Sequence, residues 1–133
     1  MSDVNLDQID PAILANATGV LATLGPVGAP QLTIVWFIVQ DNQILISVNG
    51  NRQKVRNVQS NSAVSFLIAH PDTDAYFAEI RGTAQLIADS DYDVADQIAV
   101  KYAADFRTFD RQGDARFIVR ITPKRVLITD VRH

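Results

Sequence analysis

Apolar residues along this chain come in short bursts of four to nine, punctuated by glycine, proline, asparagine and aspartate, and no burst approaches membrane-spanning length. Residues 20–24 read as a strand, residues 25–30 as a turn built from the two strongest breakers, and residues 31–39 as one long apolar strand. Asp41-Asn42 then turns the chain and residues 43–48 run back, so the pattern predicts an antiparallel meander. Further on, residues 63–69 have the pattern of a buried strand, residues 70–74 form a loop, and residues 76–87 make a long strand bent at Gly82. Residues 116–121 alternate, Pro123-Lys124 turns the chain, and residues 126–129 form the last strand. Helical spacing is confined to three places. Asp10-Pro11 supplies an N-cap and a first-position proline for a helix over residues 11–17. Asn51 caps a short basic helix, and Ser90 caps a helix whose Val94, Ile98 and Tyr102 form one stripe, with Asp91 and Asp93 at its favourable end. Residues 103–115 are polar and irregular. Six or seven antiparallel strands with short helices imply a mainly β, single-domain small barrel over residues 1–133 rather than an open sheet, because closure removes exposed edges.

The basic helix changes the picture most. Asn49-Gly50-Asn51-Arg52-Gln53-Lys54-Val55-Arg56-Asn57-Val58 places three cations at a helix opening directly after apolar strands. The unpaired N–H groups of a first helical turn and the helix dipole both favour an anion there. Arg52 offers a planar fork and Lys54 a point charge, the two forms of cation that hold phosphate. The competing reading is a solvated basic face.

Composition narrows the partners. With 133 residues, 47% of them hydrophobic, a net charge of −3 and a pI near 5.1, the chain is expected to fold as one core and to lack the broad basic footprint that nucleic acid or anionic membrane requires. No cysteine is present, which removes disulfides, thiolate metal sites and cysteine nucleophiles together. The first residues have no signal-peptide pattern, so a cytoplasmic location is expected. His70 and His133 have no ligand spacing and no metal site is expected. No nucleophile elbow or glycine-rich phosphate fingerprint occurs, and Glu79 and Arg81 share a strand face and are expected to pair with each other. Reactive chemistry, if any, must be imported with a phosphate-bearing cofactor.

Taken in order, Gly19-Val20-Leu21-Ala22-Thr23-Leu24, Gly28-Ala29-Pro30-Gln31, Val35-Trp36-Phe37, the Arg-x-Lys-x-x-Asn of residues 52–57 and Glu79-Ile80-Arg81-Gly82-Thr83-Ala84 resemble the pyridoxamine 5′-phosphate oxidase-like family of flavin- and deazaflavin-binding split barrels. The short chain and the Arg-x-Lys spacing are most similar to its deazaflavin-dependent branch, which uses coenzyme F-420. The resemblance covers residues 10–90, with the C-terminal third joining through its final strand pair.

What the resemblance implies is a homodimer with cofactor sites at the interface, and an oxidoreductase that binds FMN or coenzyme F-420 and exchanges hydride with a small organic substrate. Arg52 and Lys54 match the phosphate-binding cations and Asn57 supports their loop. Thr33, Ile34, Val35 and Trp36 match the strand along the ring, and Ser47 and Val48 the neighbouring strand end. Phe77 falls where true pyridoxamine-phosphate oxidases carry a ring-binding glutamine from the partner chain. That substitution, the short chain and the Arg132-His133 end count against vitamin B6 oxidation. Plainer roles stand beside these. Trp36 could be core, sharing a strand face with Leu32, Ile34 and Ile38, Thr33 and Ser47 could only satisfy backbone, and Arg56 could join the cluster or stay solvated. Two other classes are an FMN oxidase or reductase of the same type and a non-catalytic flavin- or haem-binding barrel. A nucleic-acid binder is disfavoured because no aromatics interleave with the cations.

Overall fold

The computed structural model describes residues 4–132. In chain order it contains α1 (Pro11–Leu14), β1 (Gly19–Leu24), β2 (Pro30–Val35), β3 (Ile38–Gln40), β4 (Gln43–Asn49), α2 (Gln53–Ser60), β5 (Ala63–His70), β6 (Thr73–Ala88), α3 (Asp93–Tyr102) and β7 (Arg116–Asp130), with short 3-10 turns at Leu6–Gln8 and Phe106–Phe109. All seven strands join one sheet in the order β2-β1-β5-β6-β7-β4-β3, every pairing antiparallel. The two edge strands, β2 and β3, are separated in sequence by Trp36 and Phe37 alone. The sheet must therefore curl until its edges meet, which makes a barrel split at that dipeptide.

This division corrects the expectation of one strand over residues 31–39 inside a meander. Phe37 is fully buried, and its backbone bonds leave the sheet. Its N–H donates to the Tyr102 hydroxyl at 2.9 Å, and its carbonyl accepts from the same hydroxyl at 3.0 Å and from Lys101 Nζ at 3.0 Å. Leu32 and Ile34 are 67% and 75% exposed, so the face that Trp36 was expected to share is outside the barrel, and Trp36 packs on Tyr102 instead.

The sharpest hairpin is Asp41-Asn42, where both residues take positive φ (53° and 60°), the signature of a type I′ turn. The final strand also differs from expectation. Pro123 does not turn the chain; β7 runs through it, opposite Gly82, and the register shift between Arg81 and Gly82 leaves Lys124 of β7 unpaired as a bulge. A proline is tolerated at a bulge because no ladder N–H is needed there. Gly82 is required by contact: a Cβ would lie 2.1 Å from the Thr122 carbonyl oxygen.

Helix ends shift in the same informative way. Asp10 caps α1 by accepting from Ala12 N–H at 2.8 Å, but the helix stops at Leu14 because Asn16 turns its amide to the Ala69 carbonyl at 2.8 Å. Asn51 does not cap α2; Arg52 occupies that position without a side-chain cap, and Asn51 donates to Asp114 instead. Tyr92 holds the N-cap position of α3 without a side-chain bond, and Asp89 rather than Ser90 satisfies the first turn, its two carboxylate oxygens accepting from Val94 N–H at 3.2 Å and Ala95 N–H at 2.9 Å. Asp89→Ala is expected to cost about 1 kcal/mol in urea unfolding and Ser90→Ala close to none; equal losses would reverse the assignment.

The main core fills the barrel with Phe37, Phe66, Ile44, Ile46, Ile68, Ile80 and Ile121, closed by Val55 and Val58 of α2 and by Leu6, Ile9 and Ile13. A second cluster seats α3 through Ala95, Ile98 and Ala99 against Leu45, Ile118 and Phe106, with Val94 and Tyr102 beside it, as the predicted stripe requires. Among the described residues no helix is long and apolar enough to cross a membrane.

Candidate functional site

A cavity of about 660 Å³ opens where the end of β2, the end of β4, the start of α2 and the segment before β7 converge. That volume lies in the usual range for small-molecule and cofactor sites.

One side is cationic. Arg52 and Lys54 line it, and among the described residues neither side chain has a hydrogen-bond or ion-pair partner. Burial pushes Lys54 below the ordinary lysine pKa, and the neighbouring Arg52 charge pushes it further. Two adjacent cations with no carboxylate between them repel unless an anion is supplied. The first turn of α2, lacking a side-chain cap, adds unclaimed N–H groups at the same place. Arg56 is outside the lining, its guanidinium engaged by Gln53 Oε1 at 2.9 Å and 3.2 Å and by the Asn51 carbonyl at 3.3 Å.

Asp114 is the carboxylate of the lining, and it is fully occupied. It accepts from Arg111 N–H at 2.8 Å, from Asn49 Nδ2 at 2.9 Å and from Asn51 Nδ2 at 3.0 Å, bonds that hold it below the ordinary carboxylate range. It therefore latches the loop before β7 onto the loop before α2 and is not poised for proton transfer. Arg116 is 5% exposed, paired with Asp110, and donates to Ser47 Oγ at 3.3 Å.

Aromatic side chains also line the cavity. Trp36 stacks on Tyr102 with centroids 4.4 Å apart and planes 5° from parallel, and meets Phe106 and Phe109 edge-on at 5.9 Å and 6.0 Å. Phe109 is 58% exposed, an unusual state for a phenylalanine next to other rings.

Of the residues singled out from sequence, Ile34, Val35, Trp36, Ser47, Val48, Arg52 and Lys54 come together in this lining. Three do not. Asn57 is buried beneath it, donating to Thr23 Oγ1 at 3.0 Å and Gln31 Oε1 at 3.3 Å, and so ties α2 to the sheet. Thr33 lies outside the lining, and its buried hydroxyl has no partner. Phe77 is half-buried on β6, on the strand face opposite buried Ala78 and Ile80. Glu79 and Arg81 pair at 3.1 Å. His70 stacks on Tyr76, no group of metal-ligating side chains forms among the described residues, and His133 lies outside them.

Sequence reasoning missed Phe106, Phe109, Arg111 and Asp114 by reading residues 103–115 only as polar and irregular, and Arg116 by reading it only as the start of a strand. A signal was present: Asp105, Asp110 and Asp114 alternate with Arg107, Arg111 and Arg116, a rhythm of opposite charges that orders a segment.

Comparison with known proteins agrees with this architecture. The pyridoxamine 5′-phosphate oxidase family profile matches residues 6–130. An F420 reductase structure is 25% identical, covering 87% of this chain and 94% of its own, with a TM-score of 0.76. A conserved hypothetical protein of Mycobacterium tuberculosis is 26% identical over 97% of this chain and 86% of its own, with a TM-score of 0.78. General stress protein 26 of Bacillus anthracis, at 20% identity, 92% coverage of both chains and a TM-score of 0.69, shares the fold.

Proposed function

The chain belongs to the pyridoxamine 5′-phosphate oxidase family, and from that premise we propose that it is an oxidoreductase holding a flavin-type nucleotide, coenzyme F-420 or FMN, in the cavity between β2, β4 and α2. The observation that carries this reading is the Arg52–Lys54 pair, two cations without a carboxylate partner facing a cavity that Trp36, Phe106 and Phe109 also line. A phosphate meets the pair and the first turn of α2, and a planar ring meets Trp36, Ile34 and Val48. When bound, the cofactor supplies the hydride that passes to or from a small organic substrate, with no nucleophile or base required of the protein. The chain's own contribution is to fix the phosphate, seat the ring against β2 and β4, and shield it with Phe106 and Phe109. The likeness to an F420 reductase and the Arg-x-Lys spacing support the deazaflavin over FMN.

Trp36 is the chain's single tryptophan, so its fluorescence reports binding at this site directly. FMN and the deazaflavin titrated side by side should each quench it if the site is as proposed, the deazaflavin at lower concentration. Absence of binding by both would remove the reading. Tight FMN binding, with the reduced form reoxidised by oxygen to give hydrogen peroxide, would make the protein an FMN oxidase or reductase. Uptake without acceptor-dependent reoxidation beyond the free-cofactor rate would make it a binding module.

Two such chains form a symmetric dimer in this reading. Leu32, Ile34 and Leu67 are 67%, 75% and 40% exposed on the outer face of β2, β1 and β5, where register aligns Ile34 with Val20 and Val20 with Leu67. Phe77 extends the same face onto β6, opposite Ala69. Aliphatic side chains on adjacent strands form a patch that a two-fold partner covers, bringing Phe77 towards the other chain's site. Sedimentation at micromolar concentration should give twice the 14.6 kDa chain mass, and Leu32→Glu should return it to one chain. A wild-type monomer with cofactor present would remove the shared site.

A further inference from the structure

One charged group in the cavity has no part in the proposal so far. Arg116 is 5% exposed yet belongs to the lining. Burying a guanidinium is costly unless it is paired, and Asp110 pairs it, accepting from Nε at 3.0 Å and from Nη2. Asp110 is held in turn by the Tyr92 hydroxyl at 2.6 Å and Asn49 Nδ2 at 2.9 Å. Burial would raise its carboxyl, but the bonds from Arg116, Tyr92 and Asn49 outweigh that and keep it below the ordinary carboxylate range.

The pair has a direction. Arg116 lines the cavity and Asp110 does not, so the positive end faces in and the negative end is kept behind it. The guanidinium rides 5.0 Å from the Phe106 ring centroid, and its Nη1 reaches Ser47 Oγ only at 3.3 Å, the long end for such a bond. Register places Arg116 opposite Asn49 on β4, the strand that carries Ser47 and Val48 of the ring wall. A pair needed only for stability gains nothing from this orientation.

We propose that Arg116 is a further cofactor-binding residue, a pre-oriented positive charge that meets the electron-rich edge of the bound ring and favours its reduced, anionic form over its oxidised form. This rests on the flavin-type reading above. The oxidised ring takes up two electrons and one proton to become a reduced ring with one negative charge, the electrons coming from an external two-electron donor, dithionite for FMN and borohydride for the deazaflavin in the test below. A fixed cation in a site of low dielectric stabilises that added charge without reorganising.

The test compares affinities for oxidised and reduced FMN, and oxidised and reduced deazaflavin, in the full chain and three variants. Asp110→Asn with Arg116→Gln removes both buried charges at once, which avoids leaving one unpaired. That double variant should weaken the reduced form about ten times more than the oxidised form, equivalent to a drop of about 30 mV for a two-electron couple. Asp110→Asn alone, leaving the cation uncompensated, should shift the ratio the opposite way, and Arg116→Lys, which keeps the charge but loses the bidentate fork to Asp110, should shift it less than the double variant does. Equal weakening of both forms, or shifts of one sign in the first two variants, would assign Arg116 a purely structural role and overturn the inference. A wild-type chain that binds neither cofactor overturns the flavin reading itself and the inference with it.

Discussion

Replacing Phe66 by alanine should remove about 3–5 kcal/mol of folding stability, the range for deleting a fully buried aromatic ring. Phe66 is 0% exposed and meets Phe37 edge-on with centroids 5.1 Å apart and planes 74° from parallel. Gly19 shows how tightly the ring is held, since a Cβ there would lie 2.3 Å from Phe66 Cζ. Against a total stability of about 5–15 kcal/mol for such a domain, the loss is a large share. The effect also reaches the site. Phe37 anchors the split between β2 and β3, and Trp36 of the cavity wall precedes it, so the variant should bind cofactor more weakly even where it remains folded. Urea unfolding followed through Trp36 measures the stability. A loss below about 1 kcal/mol would mean that the barrel core can close over the gap, contrary to its close packing.

The same dipeptide shows where sequence reading succeeds and where it stops. Strand segments were legible because they are short apolar runs bounded by turns that carry glycine, proline or Asp-Asn. The break at Trp36-Phe37 was not, because no local breaker marks it. It is made by Tyr102 and Lys101, which supply the lost sheet bonds from 65 and 64 residues away. Pro123 was misread for the converse reason: a local breaker was present, but the bulge at Lys124, fixed by pairing with the distant Arg81–Gly82 step of β6, absorbs it. Caps followed the same rule. Asp10 behaves as its local sequence dictates, whereas Asn51 is drawn away by Asp114, 63 residues further on. Within the site, the β2 and β4 walls and the Arg-x-Lys pair were legible as local patterns. The Phe106, Phe109 and Arg116 wall was not, since it depends on how residues 103–115 fold back through Asp110 and Asp114.

Arg52→Ala and Lys54→Ala should each weaken cofactor binding by about 1.5–3 kcal/mol, the range for hydrogen bonds to a charged group, while leaving urea stability within about 0.5 kcal/mol of wild type. Stability should barely move because neither side chain has a partner to lose among the described residues, and relieving their mutual repulsion offsets what little packing is removed. Arg56→Ala supplies the contrast: its guanidinium is already engaged by Gln53 and Asn51, so cofactor affinity should change less than threefold, about 0.6 kcal/mol or below. Lys54 adds a pH signature. Burial and the Arg52 charge lower its pKa from 10.5, and a bound phosphate favours the charged ammonium, so affinity should be full below that lowered pKa and decline as the pH rises through it, before a free lysine would titrate. In Lys54→Ala this alkaline decline should disappear, whereas in Arg52→Ala it should persist at a higher pH, because the neighbouring charge that helps depress Lys54 is gone. Titration of FMN and the deazaflavin against wild type and the three variants reads all of this from Trp36. Unchanged affinity for both cofactors in Arg52→Ala and Lys54→Ala would show that the pair does not hold the phosphate.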